Sequence, residues 1–310
     1  MLAVLSTIAP IFLLMAAGYT AVKSRLLDQG MIPGLGRFVL YFTLPALIFS
    51  TVSQMKFSEI IDPSFVAVYA LGSIASLTLG TLVAFFVLGN GLSASALKGL
   101  GMSISNTLFM GYPVMLQVLD DPPTNAFAMV VMVENIITLP LALLLIEYGN
   151  SHQSGKLITI WRSVLARIAR SPLVIAIAAG LAVSALGIQL PATLTTSLGM
   201  LAQGSAATAL FVIGASLMGN RVQGDIREIS LVVIGKLLIH PALILLMLWL
   251  MPPLAKPMEL TVLLIAAMPM FSIYPIIGSS YGLGRQCSSI LVVATLLSFF
   301  TISGLLLVVT

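Results

Sequence analysis

The sequence predicts an all-α integral membrane protein: ten transmembrane helices forming a 5+5 inverted repeat, with two proline-broken helices that cross. Three observations carry this expectation. Hydrophobic residues make up 59% of the 310-residue chain and charged residues only 8%. Apolar runs long enough to cross a bilayer recur from end to end. The two halves of the chain match each other at one fixed offset.

A soluble domain carries roughly 25% charged residues, because water must solvate its surface. Here 14 Lys+Arg and 10 Asp+Glu, with a mean hydropathy of +1.12, are too few to coat one. Membrane lipid is therefore the main partner of the surface. The net charge of +4 includes no basic block of the kind that tracks a phosphate backbone, so nucleic acid is excluded as a partner. The single cysteine, Cys287, excludes an internal disulfide.

A helix needs about 20 apolar residues to cross the hydrocarbon core. Ten runs qualify: 3–22, 35–54, 64–88, 99–119, 124–147, 172–188, 200–219, 229–251, 259–281 and 287–309. The first carries its lysine after the apolar stretch, at Lys23, and so reads as a spanning helix rather than a cleavable signal. The sixth is short. Gly and Pro interrupt the fourth and ninth.

The basic residues set the orientation. With the N-terminus outside, the cytoplasmic loops and helix ends hold Lys23, Arg25, Arg37, Lys98, Lys156, Arg162, Arg167, Arg170, Arg221, Arg227 and Arg285. The outside loops hold only Lys56 and Lys256, and Lys236 lies within a span. Both termini are therefore expected to be extracytoplasmic, in a multi-pass protein of the cell inner (plasma) membrane. The loop at 149–171 is expected to be cytoplasmic, its basic residues serving to anchor the topology. It separates a first five-helix repeat, 1–148, from a second, 172–310.

The repeat appears at a shift of 162 residues. Pro10, Ala16, Ala17 and Gly18 fall on Pro172, Ala178, Ala179 and Gly180, while Phe109, Tyr112 and Pro113 fall on Phe271, Tyr274 and Pro275. Five spans is an odd number, so the second half begins on the opposite side of the membrane and the repeat is inverted. Such pairs give one chain two nearly equivalent conformations, an architecture found in many secondary transporters. Their binding sites lie at paired, interrupted spans, here Asn106–Pro113 and Pro269–Pro275. The expected substrate-binding residues are Asn106, Gly111, Tyr112, Pro113, Ser272, Tyr274 and Pro275. Prolines open the helix, and the freed half-helix N-termini favour an anion.

Four further polar residues lie within spans. Glu134 and Asn135 are in the fifth; Lys236 and His240, four apart and so on one helix face, are in the eighth. A buried charge costs roughly 2.5–3.5 kcal/mol on insertion scales, so these groups should face the interior and have partners. They are candidates for coupling or polar support, and a Glu134–Lys236 pair stitching helices together is an equal alternative. No catalytic residue, metal cluster or cofactor site is expected, apart from a coupling H+ or Na+. Gly282-Leu-Gly284 lacks the surroundings of a phosphate loop.

The stretch Asn106-Thr-Leu-Phe-Met-Gly111-Tyr-Pro113 resembles the N-T-L-x-M-G-x-P motif of the auxin efflux carrier family, which includes plant PIN-type carriers and bacterial malonate-transporter-like proteins. Ala267-Met-Pro269, Pro275, Tyr281 and the run Ala294-Thr295-Leu-Leu-Ser298-Phe-Phe-Thr301 are similar to its last two helices. The resemblance covers essentially the whole chain. It implies a sodium/proton-antiporter-like fold shared with bile acid symporters. Spans 1, 2, 6 and 7 would form a dimerising scaffold, and spans 3–5 with 8–10 a transport domain moving as an elevator. The broken helices would cross at Pro113 and Pro275, with Asn106 touching the carboxylate of a small organic anion. Glu134 would fall at the polar site beside the crossover. The short loop departs from the long regulatory loop of the plant carriers. A sodium-coupled bile-acid-type symporter and, more remotely, an intramembrane enzyme using Lys236, His240 and Glu134 are the competing functions.

Overall fold

The computed structural model describes residues 2–55, 60–119, 122–150, 162, 165–166, 169–218 and 224–309. Lys56, Lys156, Arg167 and Arg221, used above to orient the chain, lie outside them. Among the described residues no strand forms; with no water in the bilayer core to satisfy the backbone, helices do so internally.

The helices run in order: α1 Leu2–Lys23, α2 Gln29–Gln54, α3 Pro63–Phe86, α4 Leu92–Ser103, α5 Thr107–Val118, α6 Thr124–Asn150, α7 Pro172–Ala185, α8 Ala192–Leu217, α9 Ile226–Leu250, α10 Lys256–Ala266, α11 Tyr274–Ser279 and α12 Gly284–Val309. Six of them, α2, α3, α6, α8, α9 and α12, are long and apolar enough to cross a membrane. The runs at 99–119 and 259–281 are each two helices, α4 with α5 and α10 with α11, separated by extended or irregular backbone.

Local chemistry sets the boundaries. Asp62 caps α3, its side chain accepting from the Ser64 and Phe65 amides with Pro63 in the first turn. Asp225 caps α9 through the Arg227 amide. Proline acts inside the helices too. Pro45, Pro113, Pro140 and Pro241 each follow a five-residue stretch of π-helix: Val39–Thr43, Thr107–Gly111, Glu134–Thr138 and Gly235–Ile239. A proline has no N–H to give and its ring crowds the carbonyl four residues back, so the turn before it widens.

Several helix pairs approach backbone to backbone, as membrane helices do where glycine allows it. A Cβ on Gly18 of α1 would stand 2.0 Å from the Phe211 carbonyl of α8, and one on Gly214 of α8 would stand 1.8 Å from the Met15 carbonyl of α1. α7 lies on α2, with Gly180 against Val52, and α3 lies on α9, with Gly72 against Ile244. Lys98 is only 3% exposed. It sits within α4 and pairs with Glu228 of α9 at 3.1 Å. Gln286 of α12 also donates to Glu228.

Candidate anion site at the helix crossing

The two interrupted helices meet at their breaks. Ile104, at the end of α4, is extended (φ −105°, ψ 134°), and Ser105 forms an isolated antiparallel bridge with Met270. The Asn106 amide donates to the Pro269 carbonyl at 2.7 Å. The crossing therefore lies at Ser105 and Met270 rather than at Pro113 and Pro275. Those prolines sit in the first turns of α11 and of the α-helical part of α5, where a missing N–H is harmless.

Unwound backbone deep in a membrane protein is tolerated only where its polar groups find partners, and several can be traced here. The Asn106 carbonyl accepts from the Met110 and Gly111 amides. The Ser105 amide donates to Glu134 Oε1 at 2.9 Å. The Ala266 carbonyl, at the end of α10, accepts from Lys236 Nζ at 3.0 Å. The charged residues of α6 and α9 thus close the open ends of the two broken helices.

The same groups form one continuous network. Glu134 Oε1 also accepts from Tyr69 Oη at 2.8 Å and Thr107 Oγ1 at 2.9 Å. Lys236 Nζ donates to Ser105 Oγ at 2.8 Å and to His240 Nδ1 at 2.6 Å. An ammonium has three donors, and here Ser105, His240 and Ala266 take all three. With Nδ1 accepting, His240 Nε2 carries the proton and donates to Ser73 Oγ, 3.2 Å away. Glu134 and Lys236 are joined through Ser105, whose amide serves one and whose hydroxyl serves the other.

Beside the crossing is a cavity of about 410 Å³, within the roughly 300–1,000 Å³ of small-ligand sites. Ser105, Asn106, Thr107, Glu134, Asn135 and Ser272 line it, with Phe109, Leu143, Phe271 and Ile277 among its apolar walls. Asn106 Nδ2 donates to Ser272 Oγ at 3.2 Å across the two breaks, and Asn135 Nδ2 is held by the Val131 carbonyl. The first turn of α5, a 12-residue helix, begins in this wall and brings its positive end to it.

The other expected site residues lie behind the wall. Tyr112 packs on Phe127 with ring centroids 5.0 Å apart. Gly111 and Pro113 are buried in the adjoining turns. Tyr274 is fully buried in a second apolar cluster with Cys287, and Pro275 follows it in α11. Lys236 and His240 are fully buried and reach the cavity only through Ser105. Sequence reasoning missed Tyr69, Ser73, Ser105 and Thr107, short polar or aromatic residues that mark nothing in an apolar run; Ser105 and Thr107 do flank Asn106. It also missed Arg170, Ser171 and Pro172, which form part of the cavity wall.

An all-helical, lipid-bathed chain whose unwound helices cross beside a polar-floored cavity is a multi-pass membrane transport protein by class. The chain belongs to the membrane transport protein family, whose model matches residues 3–306. It is 28% identical over 306 residues to a malonate-transporter candidate of Rhizobium meliloti (strain 1021), covering 96% of this chain and 93% of that one. It is also 26% identical over 149 residues to auxin efflux carrier component 7 of Arabidopsis thaliana, covering 48% of this chain but only 24% of the plant protein. Component 6 of the same plant matches at 28% over 145 residues, or 46% of this chain and 25% of the relative.

Proposed function

We propose that this protein is a secondary carrier for a small organic anion, a mono- or dicarboxylate of malonate-like or auxin-like character. The observation that carries the reading is the crossing itself. Asn106 and Ser272, one from each broken helix, meet on the floor of the cavity, and α5 points its positive end there. A neutral amide and a hydroxyl can hold a carboxylate without stripping water from a second ion. The relatives named for malonate and auxin transport support the same substrate class.

Transport would proceed by alternating access. α1 to α6 and α7 to α12 would be the two inverted five-span halves, of which α1, α2, α7 and α8 would form the scaffold, which dimerises, and α3 to α6 with α9 to α12 the moving body. The glycine-mediated contacts of α1 with α8 and of α2 with α7 support this division. With the basic loop cytoplasmic, the cavity, whose rim includes Arg170, opens to the cytoplasm. Glu134, Lys236 and His240 hold the crossing closed and would couple a proton; uptake under imposed proton or sodium gradients decides between coupled transport and facilitated diffusion.

The test is binding and flux. Purified protein is screened by thermal shift against mono- and dicarboxylates, and hits are measured for uptake into proteoliposomes. Asn106→Ala should weaken binding at least tenfold, about 1.4 kcal/mol, while the variant still folds. A variant that binds every hit as tightly as the wild type removes Asn106 from the site.

A further inference from the structure

The cavity has a polar floor, yet its rim carries a full positive charge whose only expected role was topological. Arg170 is exposed and lines the cavity together with Ser171, Pro172 and Leu173. Among the described lining residues it is the one basic side chain, and Glu134 is the one acid. Glu134 Oε1 accepts from Tyr69, Ser105 and Thr107, and Ser105 ties it to Lys236 Nζ, a buried cation that offsets its charge. Directly after Arg170 comes the N-terminus of α7, a 14-residue helix whose N-cap, Ser171, makes no side-chain hydrogen bond to the first turn. A guanidinium and the positive end of a helix therefore share one rim. The floor, by contrast, is uncharged: Asn106 and Ser272. Apolar side chains such as Phe271 and Leu143 lie in the same wall.

We propose that Arg170 is a specificity-determining residue that binds the second carboxylate of a dicarboxylate whose first carboxylate rests on Asn106 and Ser272. The inference rests on the anion-carrier reading above and names its substrate class. A guanidinium presents a planar fork that matches a carboxylate with two hydrogen bonds. A monocarboxylate leaves Arg170 hydrated, which costs nothing, so monoanions are carried but not favoured. Because Arg170 is exposed, its attraction is screened by salt, and the preference for dianions falls as ionic strength rises.

Proteoliposome uptake is measured for pairs of equal chain length, malonate against propionate and succinate against butyrate. Wild type is compared with Arg170→Gln, Arg170→Lys and Arg162→Gln. The last removes the same charge from the same segment, at an exposed residue outside the cavity wall, and so controls for insertion and topology. Arg170→Gln should lower the dicarboxylate-to-monocarboxylate ratio of kcat/KM at least tenfold. Arg170→Lys should retain part of it, and Arg162→Gln should keep the wild-type ratio. Raising salt from 50 to about 500 mM should lower the ratio in wild type but not in Arg170→Gln. An unchanged ratio in Arg170→Gln, or an equal fall in Arg162→Gln, overturns the inference while leaving the carrier reading intact. Wild-type protein that carries neither acid of any pair, with Asn106→Ala indistinguishable in binding, overturns both.

Discussion

Glu134 shows how a single side chain can carry the crossing. One of its oxygens accepts from Tyr69, the Ser105 amide and Thr107. Orphaning a buried donor costs about 1–3 kcal/mol, and Glu134→Leu would orphan the Ser105 amide and the Thr107 hydroxyl and leave Tyr69 only its 3.3 Å bond to Ser105 Oγ. Glu134→Gln keeps a carbonyl oxygen in the same place. Thermal unfolding in detergent should therefore show a large loss for Glu134→Leu and a small one for Glu134→Gln; equal losses would mean that the carboxylate, not its accepting oxygen, matters to the fold. The sequence exposed Glu134, Lys236 and His240 because a titratable residue in an apolar run is costly and conspicuous. It could not expose Ser105, whose amide and hydroxyl join Glu134 to Lys236, since a serine in such a run carries no signal.

At the scale of the helix, each of these π turns ends two residues before a proline. Asn106 directly precedes the π turn Thr107–Gly111, and Glu134 and Lys236 lie within π turns of their own, each followed by a proline, Pro113, Pro140 or Pro241. The widened turn changes the helix register by a fraction of a turn and so sets the direction in which the polar residue points. Pro140→Ala removes the cause. The π turn already relieves the proline's clash, and alanine is the better helix former, so the variant should unfold at the wild-type temperature or above. Its uptake should nevertheless fall, because Glu134 loses its register with Ser105. Undiminished transport by a protein of raised stability would show that the π turn is incidental. The sequence made the prolines plain and led to a crossing placed on them. It could not show that the chain opens upstream, at residues 104–106 and 267–273, because a proline is comfortable in the first turn of the helix that resumes.

For the whole molecule, the sidedness of the chain is the quantity to measure. The loop after α6 holds most of the basic residues near the middle of the chain, and the turn after α7 holds none. A cysteine placed at exposed Leu165 should react with a membrane-impermeant maleimide only after permeabilisation, and one at exposed Leu186 in intact spheroplasts. The native Cys287 is buried and free, so it contributes little background. The reverse pattern would invert the orientation and turn the cavity outward. Composition and the run of apolar segments determined by themselves that this chain lives in lipid as helices, because a polar backbone in hydrocarbon has almost no other way to satisfy itself. The paired Tyr-Pro signals singled out the two interrupted segments. Only the tertiary structure decided that the breaks close on each other through Ser105 and Met270, that Lys98 is a buried partner of Glu228, and that Arg170 stands at the cavity rim. Those facts depend on contacts between segments far apart in the chain, and no local pattern of residues encodes a distance across the fold.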